Sequence, residues 1–178
     1  YLTDRVIPML PRVLCNGICS LNPEEDRLTL SCVMDIDASG KILNHEICES
    51  VIRSDKRMSY SGVHAILTNT ELTNGEDIAS YLPYKPLLER MYELSKLLRK
   101  RRYERGGIDF DFPETKIILD AQGHVTDIHP YERNEAHMLI EDFMLAANET
   151  VAEDFFWQQV PFVFRVHEKP DAEKFQQL

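Results

Sequence analysis

The chain has 178 residues, 43% hydrophobic and 28% charged, with 30 acidic against 20 basic side chains and a formal net charge of −10. Its length lies within the usual ~100–200 residues of one domain, and its mixed composition excludes collagen, low-complexity disorder and coiled coil. No apolar run approaches the ~18 residues of a membrane helix, the start has no signal-peptide layout, and four cysteines are too few for a disulfide framework. A cytoplasmic domain with no membrane partner is expected.

The first segment carries Pro8, Pro11, Gly17 and Pro23, too much punctuation for a long regular element, and reads as an ordered loop. It opens without an initiator Met, as the interior of a longer protein would. Leu28 to Ile36 is rich in alternating apolar residues; the turn residues Asp37-Ala38-Ser39-Gly40 follow, and a second such run extends from Ile42 to Ile52. This predicts a β-hairpin. Ser59 or Ser61 suits the cap of a short helix through Val63, Ile66 and Leu67, and residues 69–80 read as an exposed connection. Pro83 and Pro86 mark the start of a helix whose apolar face is Leu87, Leu88, Met91, Leu94 and Leu98, ending at Gly106-Gly107.

Lys116 to Leu119, the turn Asp120 to Gly123, and His124 to Ile128 predict a second hairpin. A longer helix is expected from about Asn134 to Gln159, with Ala136, Leu139, Ile140, Phe143, Met144, Ala147, Val151 and Phe155 as its core stripe. Phe162 to Val166 reads as a strand and the tail from Asp171 as a frayed helix. The expected class is α+β, with antiparallel hairpins packed against two long helices.

The histidines are scattered without metal-ligand spacing, and none belongs to a nucleophile motif. Basic residues cluster instead at Lys96, Arg99, Lys100, Arg101, Arg102 and Arg105. Such a cluster holds phosphates or, equally, favours the negative end of a helix dipole. Directly after it come Gly106-Gly107-Ile108-Asp109-Phe110-Asp111-Phe112. Rings beside cations suit a single-stranded nucleic-acid track, while the alternative is two core phenylalanines. Glu141 and Asn148 share a line beside the apolar stripe, either with polar partners or on a solvated face next to Asp142.

Several separated stretches carry a resemblance: Tyr1-Leu-Thr-Asp-Arg-Val-Ile-Pro-Met-Leu-Pro11, Asn16-Gly-Ile-Cys-Ser-Leu-Asn-Pro23, Asp26-Arg-Leu-Thr-Leu-Ser-Cys32, Arg105-Gly-Gly-Ile-Asp-Phe110, Ile140-Glu-Asp-Phe-Met-Leu-Ala-Ala-Asn-Glu-Thr-Val-Ala152, and Phe162 to Pro170. In this order they closely resemble the RNB catalytic domain of the ribonuclease II and ribonuclease R exoribonucleases, with wording nearer the ribonuclease R branch. The resemblance implies a processive 3′-to-5′ exoribonuclease that uses magnesium to hydrolyse single-stranded RNA to nucleoside 5′-monophosphates. By motif, Tyr1 and Phe110 match aromatics that clamp the bases near the RNA 3′ end. Tyr60 and Glu141 match the pair that contacts ribose and favours RNA over DNA. From the basic cluster, not from a motif, Arg101 and Arg105 are the expected phosphate contacts.

The departures are specific. The family's magnesium ligands, spaced Asp-x5-Asp-x-Asp-Asp, do not occur in this chain, and Asp109, Asp111 and Asp120 lack that spacing. The Ser-Pro-x-Arg motif and the flanking oligonucleotide-binding barrels are also missing. Residues 1–178 are therefore expected to be one partial domain, the middle of an exoribonuclease catalytic domain, with no catalytic or metal-binding residue of its own and no linker to a second domain. The other readings are a non-catalytic RNA-binding module and a structural scaffold.

Overall fold

A computed structural model describes residues 2, 5–71, 77–109, 115–131, 133–166, 171 and 174. In the first segment the prolines confine regular structure to a short π-helical turn, Leu14–Ile18. The first hairpin pairs β1 (Asp26–Ile36) with β2 (Ile42–Arg53) antiparallel, Asp26 opposite Arg53 and Asp35 opposite Asn44, with a register shift beside the turn. Asp37 closes that turn. One of its carboxylate oxygens accepts from the Ser39 hydroxyl (2.7 Å) and from the backbone N–H groups of Ser39 (2.8 Å) and Lys41 (2.9 Å). These bonds, the Ser39 side chain first, hold the Asp37 carboxyl below its ordinary range.

Gly40 is needed twice over at the hairpin tip. Its φ is +79°, and a Cβ there would lie 3.1 Å from Arg101 Cδ and 3.2 Å from Leu97 Cβ. The tip thus presses on the helix carrying the basic cluster. Along the hairpin, the Ser50 hydroxyl bonds those of Thr29 (2.7 Å) and Ser31 (2.6 Å) on one face, while Leu28, Leu30 and Val51 are exposed.

Ser59, not Ser61, caps α1 (Tyr60–Thr68), its hydroxyl accepting from Gly62 N–H at 3.0 Å. The expected connection 69–80 is shorter than the sequence implied, because a 3-10 helix (Ile78–Tyr84) occupies its end; residues 72–76 lie outside the described residues. Tyr81 is the reason. Its buried ring lies over Gly62, where a Cβ would be 2.7 Å from the ring.

The helix α2 (Lys85–Glu104) has Pro86 in its first turn, where a missing N–H costs no intrahelical bond, while Pro83 stays in the 3-10 helix. Ile66, Tyr81 and Leu88 form the buried cluster between these elements, flanked by Met58, Val63, Leu67, Ile78, Tyr84 and Met91. The second hairpin pairs β3 (Thr115–Leu119) with β4 (Val125–Pro130), Asp120 closing its turn as Asp37 closes the first. The long helix α3 (Glu135–Trp157) then packs across α2 and α1. The architecture is α+β, two antiparallel hairpins together with helices.

Two expectations are corrected. The most buried line of α3 runs through Ala136, Leu139, Asp142, Ala146 and Thr150, whereas Ile140 and Met144 are 39% and 57% exposed. A charged residue joins the buried line because α2 brings arginines to meet it, and Ala146 allows the helices to approach. Phe162 to Val166 forms no strand. Its aromatic rings turn onto the end of α3, Phe162 against Phe155 (4.9 Å between centroids) and against Phe164 (5.1 Å), so ring packing replaces ladder bonds. Of the tail, only Asp171 and Lys174 are described.

Candidate nucleic-acid interface

The first turn of α3 organises the site. The Asn134 side chain accepts from the N–H groups of Ala136 (3.1 Å) and His137 (3.4 Å), while Asn134 N–H donates back to His137 Nδ1 (3.3 Å). This reciprocal cap satisfies helix-end donors and fixes the imidazole. His137 Nδ1 also lies 2.8 Å from Asn134 Oδ1, and Nε2 faces the Tyr131 hydroxyl at 3.0 Å. Tyr60, at the start of α1, stacks on the same imidazole with centroids 3.9 Å apart and planes 18° off parallel. An open groove of about 1130 Å³ lies beside this pair, lined among others by Arg57, Lys116, His129 and Tyr131.

Burial, then the positive charges of Arg133 and His64, lower the pKa of His137 from the ordinary value of 6.5. A histidine kept neutral by the fold contributes stability that is whole above pH 6.5 and declines as the pH falls through that value toward the folded pKa. Proton NMR titration of the His137 ring is therefore expected to give a midpoint below 6.5, with stability falling over the same acid range. A midpoint at or above the ordinary value would contradict the stacked, neutral imidazole.

Glu141 lies one turn further along α3. Its Oε2 accepts from Arg133 Nη2 at 2.6 Å, and its Oε1 faces Arg102 Nη2 at 3.7 Å, without a hydrogen bond among the described residues. Arg133 also reaches Asp109 through Nη1, at 2.9 and 3.0 Å to the two carboxylate oxygens, and the Tyr103 hydroxyl donates to Asp109 at 3.0 Å. The Arg133 hydrogen bond, with that of Tyr103 adding to it, holds the Asp109 carboxyl below its usual range. Hydrogen bonds that Arg133 donates to Glu141 first, and to Asp109, raise its pKa.

Behind Glu141 sits the buried Asp142. It accepts from Ser95 Oγ (2.7 Å), Arg99 Nε (3.0 Å) and Nη2 (2.7 Å), and Arg102 Nη1 (3.0 Å). Arg102 therefore touches both acidic neighbours. These contacts account for much of the basic cluster. Arg99 and Arg102 neutralise Asp142, Arg105 forms an ion pair with Glu149 at 3.0 Å, Lys100 lies 3.8 Å from Glu104, and Lys96 sits over the Tyr92 ring. Arg101 has no ion pair among the described residues and lines, with Lys41 and Arg105, a recess of about 260 Å³ under the hairpin tip.

Of the residues expected from sequence, Tyr60 and Glu141 thus converge on the first two turns of α3. Arg101 and Arg105 line the separate recess, and Tyr1 and Phe110 lie outside the described residues. The sequence reading missed Arg133, His137 and the Ser95–Asp142 bond. The first two carried a signal, since Arg133, His137 and Glu141 recur at every fourth position. The third carried none, because periodicity does not say which helix faces which.

The described residues do not fit a bound magnesium ion. No group of His, Cys, Asp or Glu that could hold a metal occurs among the described residues. Asp109 is engaged by Arg133 and Tyr103 and Asp120 by its own turn, while Asp111 is not described. No helix among the described residues is long and apolar enough to cross a membrane.

The RNB domain family matches residues 1–178. The ribonuclease R of Thermotoga maritima is 48% identical over 179 residues, covering 100% of this chain and 24% of that protein. The ribonuclease R of Escherichia coli is 39% identical over 173 residues, covering 97% of this chain and 21% of that protein. The structure of Mycoplasma genitalium RNase R in complex with ribose methylated single-stranded RNA matches with a TM-score of 0.82 and 34% identity, over 97% of this chain and 26% of that one. The chain spans about a quarter of the length of these relatives.

Proposed function

The chain belongs to the RNB domain family, and from that premise we propose that it is the substrate-positioning middle of a processive 3′-to-5′ exoribonuclease. The substrate is the 3′ end of single-stranded RNA, hydrolysed to nucleoside 5′-monophosphates in the cytoplasm. Tyr60 and Glu141 read the ribose, Arg101 and Arg105 meet phosphates, and Tyr1 and Phe110 clamp the bases. The magnesium ions of that chemistry are held by residues other than those of this chain.

The observation that carries this reading is that Tyr60 stacks on the first turn of α3, one turn before Glu141. Tyr60 rests on His137, and Glu141 follows His137 by four residues on the same face of α3. A phenol and a carboxylate so arranged can donate to and accept from a 2′-hydroxyl, which deoxyribose lacks. The related RNase R of Mycoplasma genitalium, solved with single-stranded RNA, supports RNA as the ligand class.

Phosphodiester hydrolysis needs an activated water and stabilisation of the leaving oxygen, which clustered carboxylates provide through metal ions. The 178-residue chain is therefore expected to hydrolyse no RNA by itself, whereas the intact gene product with magnesium shortens 5′-labelled single-stranded RNA from its 3′ end. Chromatography of the products decides. Mononucleotides released by the short chain, and abolished by a point substitution within it, would overturn the reading. An intact product that binds RNA without shortening it would favour a binding module.

A further inference from the structure

Arg133 is the residue just before the α3 cap, yet it touches two acidic groups that lie far apart in the chain. One end of its planar guanidinium meets both oxygens of Asp109, and the other meets Oε2 of Glu141. We propose that Arg133 is a positioning residue whose two arms, on Asp109 and Glu141, aim the Glu141 carboxylate at the ribose. The inference rests on the reading that Glu141 reads the sugar.

The geometry favours this over simple stabilisation. Arg133, Asp109 and Glu141 are 30%, 32% and 40% exposed, and ion pairs so open to water contribute little to folding. What they do contribute is direction. With Oε2 occupied by Arg133, the oxygen left for a ligand hydroxyl is Oε1, which has no hydrogen bond among the described residues.

Asp109 supplies the fixed end of the lever. It is tied to α2 by the Tyr103 hydroxyl, and the chain leading to it leaves α2 through Gly106 and Gly107, whose N–H groups bond the carbonyls of Tyr103 and Arg102. Asp109 is therefore anchored to α2, Glu141 belongs to α3, and Arg133 sets the one against the other. Only a planar fork bonds both at once. A lysine ammonium at this position is a point charge without that fixed divergence.

The test uses the intact gene product and the ratio of activity on single-stranded RNA to that on the same sequence as DNA. Arg133→Lys and Arg133→Gln are each expected to narrow the ratio by roughly ten- to a hundredfold, the scale on which small misplacements act. Asp109→Asn, which leaves Arg133 and Glu141 in place, should shift the ratio in the same direction, but not when added to Arg133→Gln. Arg133→Gln should likewise add nothing to Glu141→Gln. Full activity and discrimination in Arg133→Lys would overturn the two-armed role, since charge alone would suffice. If Glu141→Gln narrows the ratio while Arg133→Gln and Asp109→Asn do not, Glu141 reads ribose without this lever and the inference falls alone. If Glu141→Gln leaves the ratio unchanged, the ribose reading fails and the inference falls with it.

Discussion

Asp142→Ala is expected to destabilise the fold by about 3–5 kcal/mol, the range for removing one partner of a buried ion pair. The Asp142 side chain is 1% exposed, and the two guanidiniums that meet it, Arg99 and Arg102, are 15% and 19% exposed. Without the carboxylate both cations remain in a largely dry helix interface and Ser95 loses the acceptor 2.7 Å from its hydroxyl. Asp142→Asn keeps the volume and some hydrogen bonds but not the charge, so its loss should be smaller. Urea unfolding of the chain checks both. An Asp142→Ala protein with an unchanged midpoint would show that the helices hold together without this network.

The second large effect concerns the sugar. In the intact gene product, Glu141→Ala should reduce the preference for RNA over matched DNA by about 10–150-fold, because a hydrogen bond to a charged group contributes ~1.5–3 kcal/mol. Tyr60→Phe deletes only the hydroxyl and leaves the ring free to stack on His137. Its effect should be smaller, ~0.5–1.5 kcal/mol for a neutral hydrogen bond. Steady-state kinetics on RNA and DNA of one sequence measure both. Loss of activity on RNA and DNA alike would mean that the two residues hold the strand but do not discriminate its sugar.

These two predictions separate two uses of neighbouring residues. Asp142 and Glu141 are adjacent, yet one is buried among α2 side chains and the other stands at the edge of α3 between Arg102 and Arg133. Arg102 bridges them, so Asp142→Ala is expected also to free Arg102 toward Glu141. Effects on stability and on sugar preference should therefore be measured on the same variants.

The local elements were largely legible in the sequence because their determinants are local. Asp37 and Gly40 close one turn, Asp120 and Gly123 another, and Ser59 and Asn134 cap their helices with their own side chains, interactions that span only a few residues. The RNB resemblance was legible for a related reason, since its motifs are contiguous runs. What the tertiary structure alone decided are pairings between segments that periodicity treats as independent. Asp142 is a polar neighbour of the apolar stripe until α2 brings Ser95, Arg99 and Arg102 against it; then it is the centre of a buried ion-pair network. Most of the cations from Lys96 to Arg105 look available for phosphate until their carboxylate partners arrive, leaving Lys96 and Arg101 without one among the described residues. The pairing of Arg133 with Asp109, 24 positions away, is likewise invisible to periodicity. Charge can be counted from composition, but whether a charge is free depends on which helix faces it.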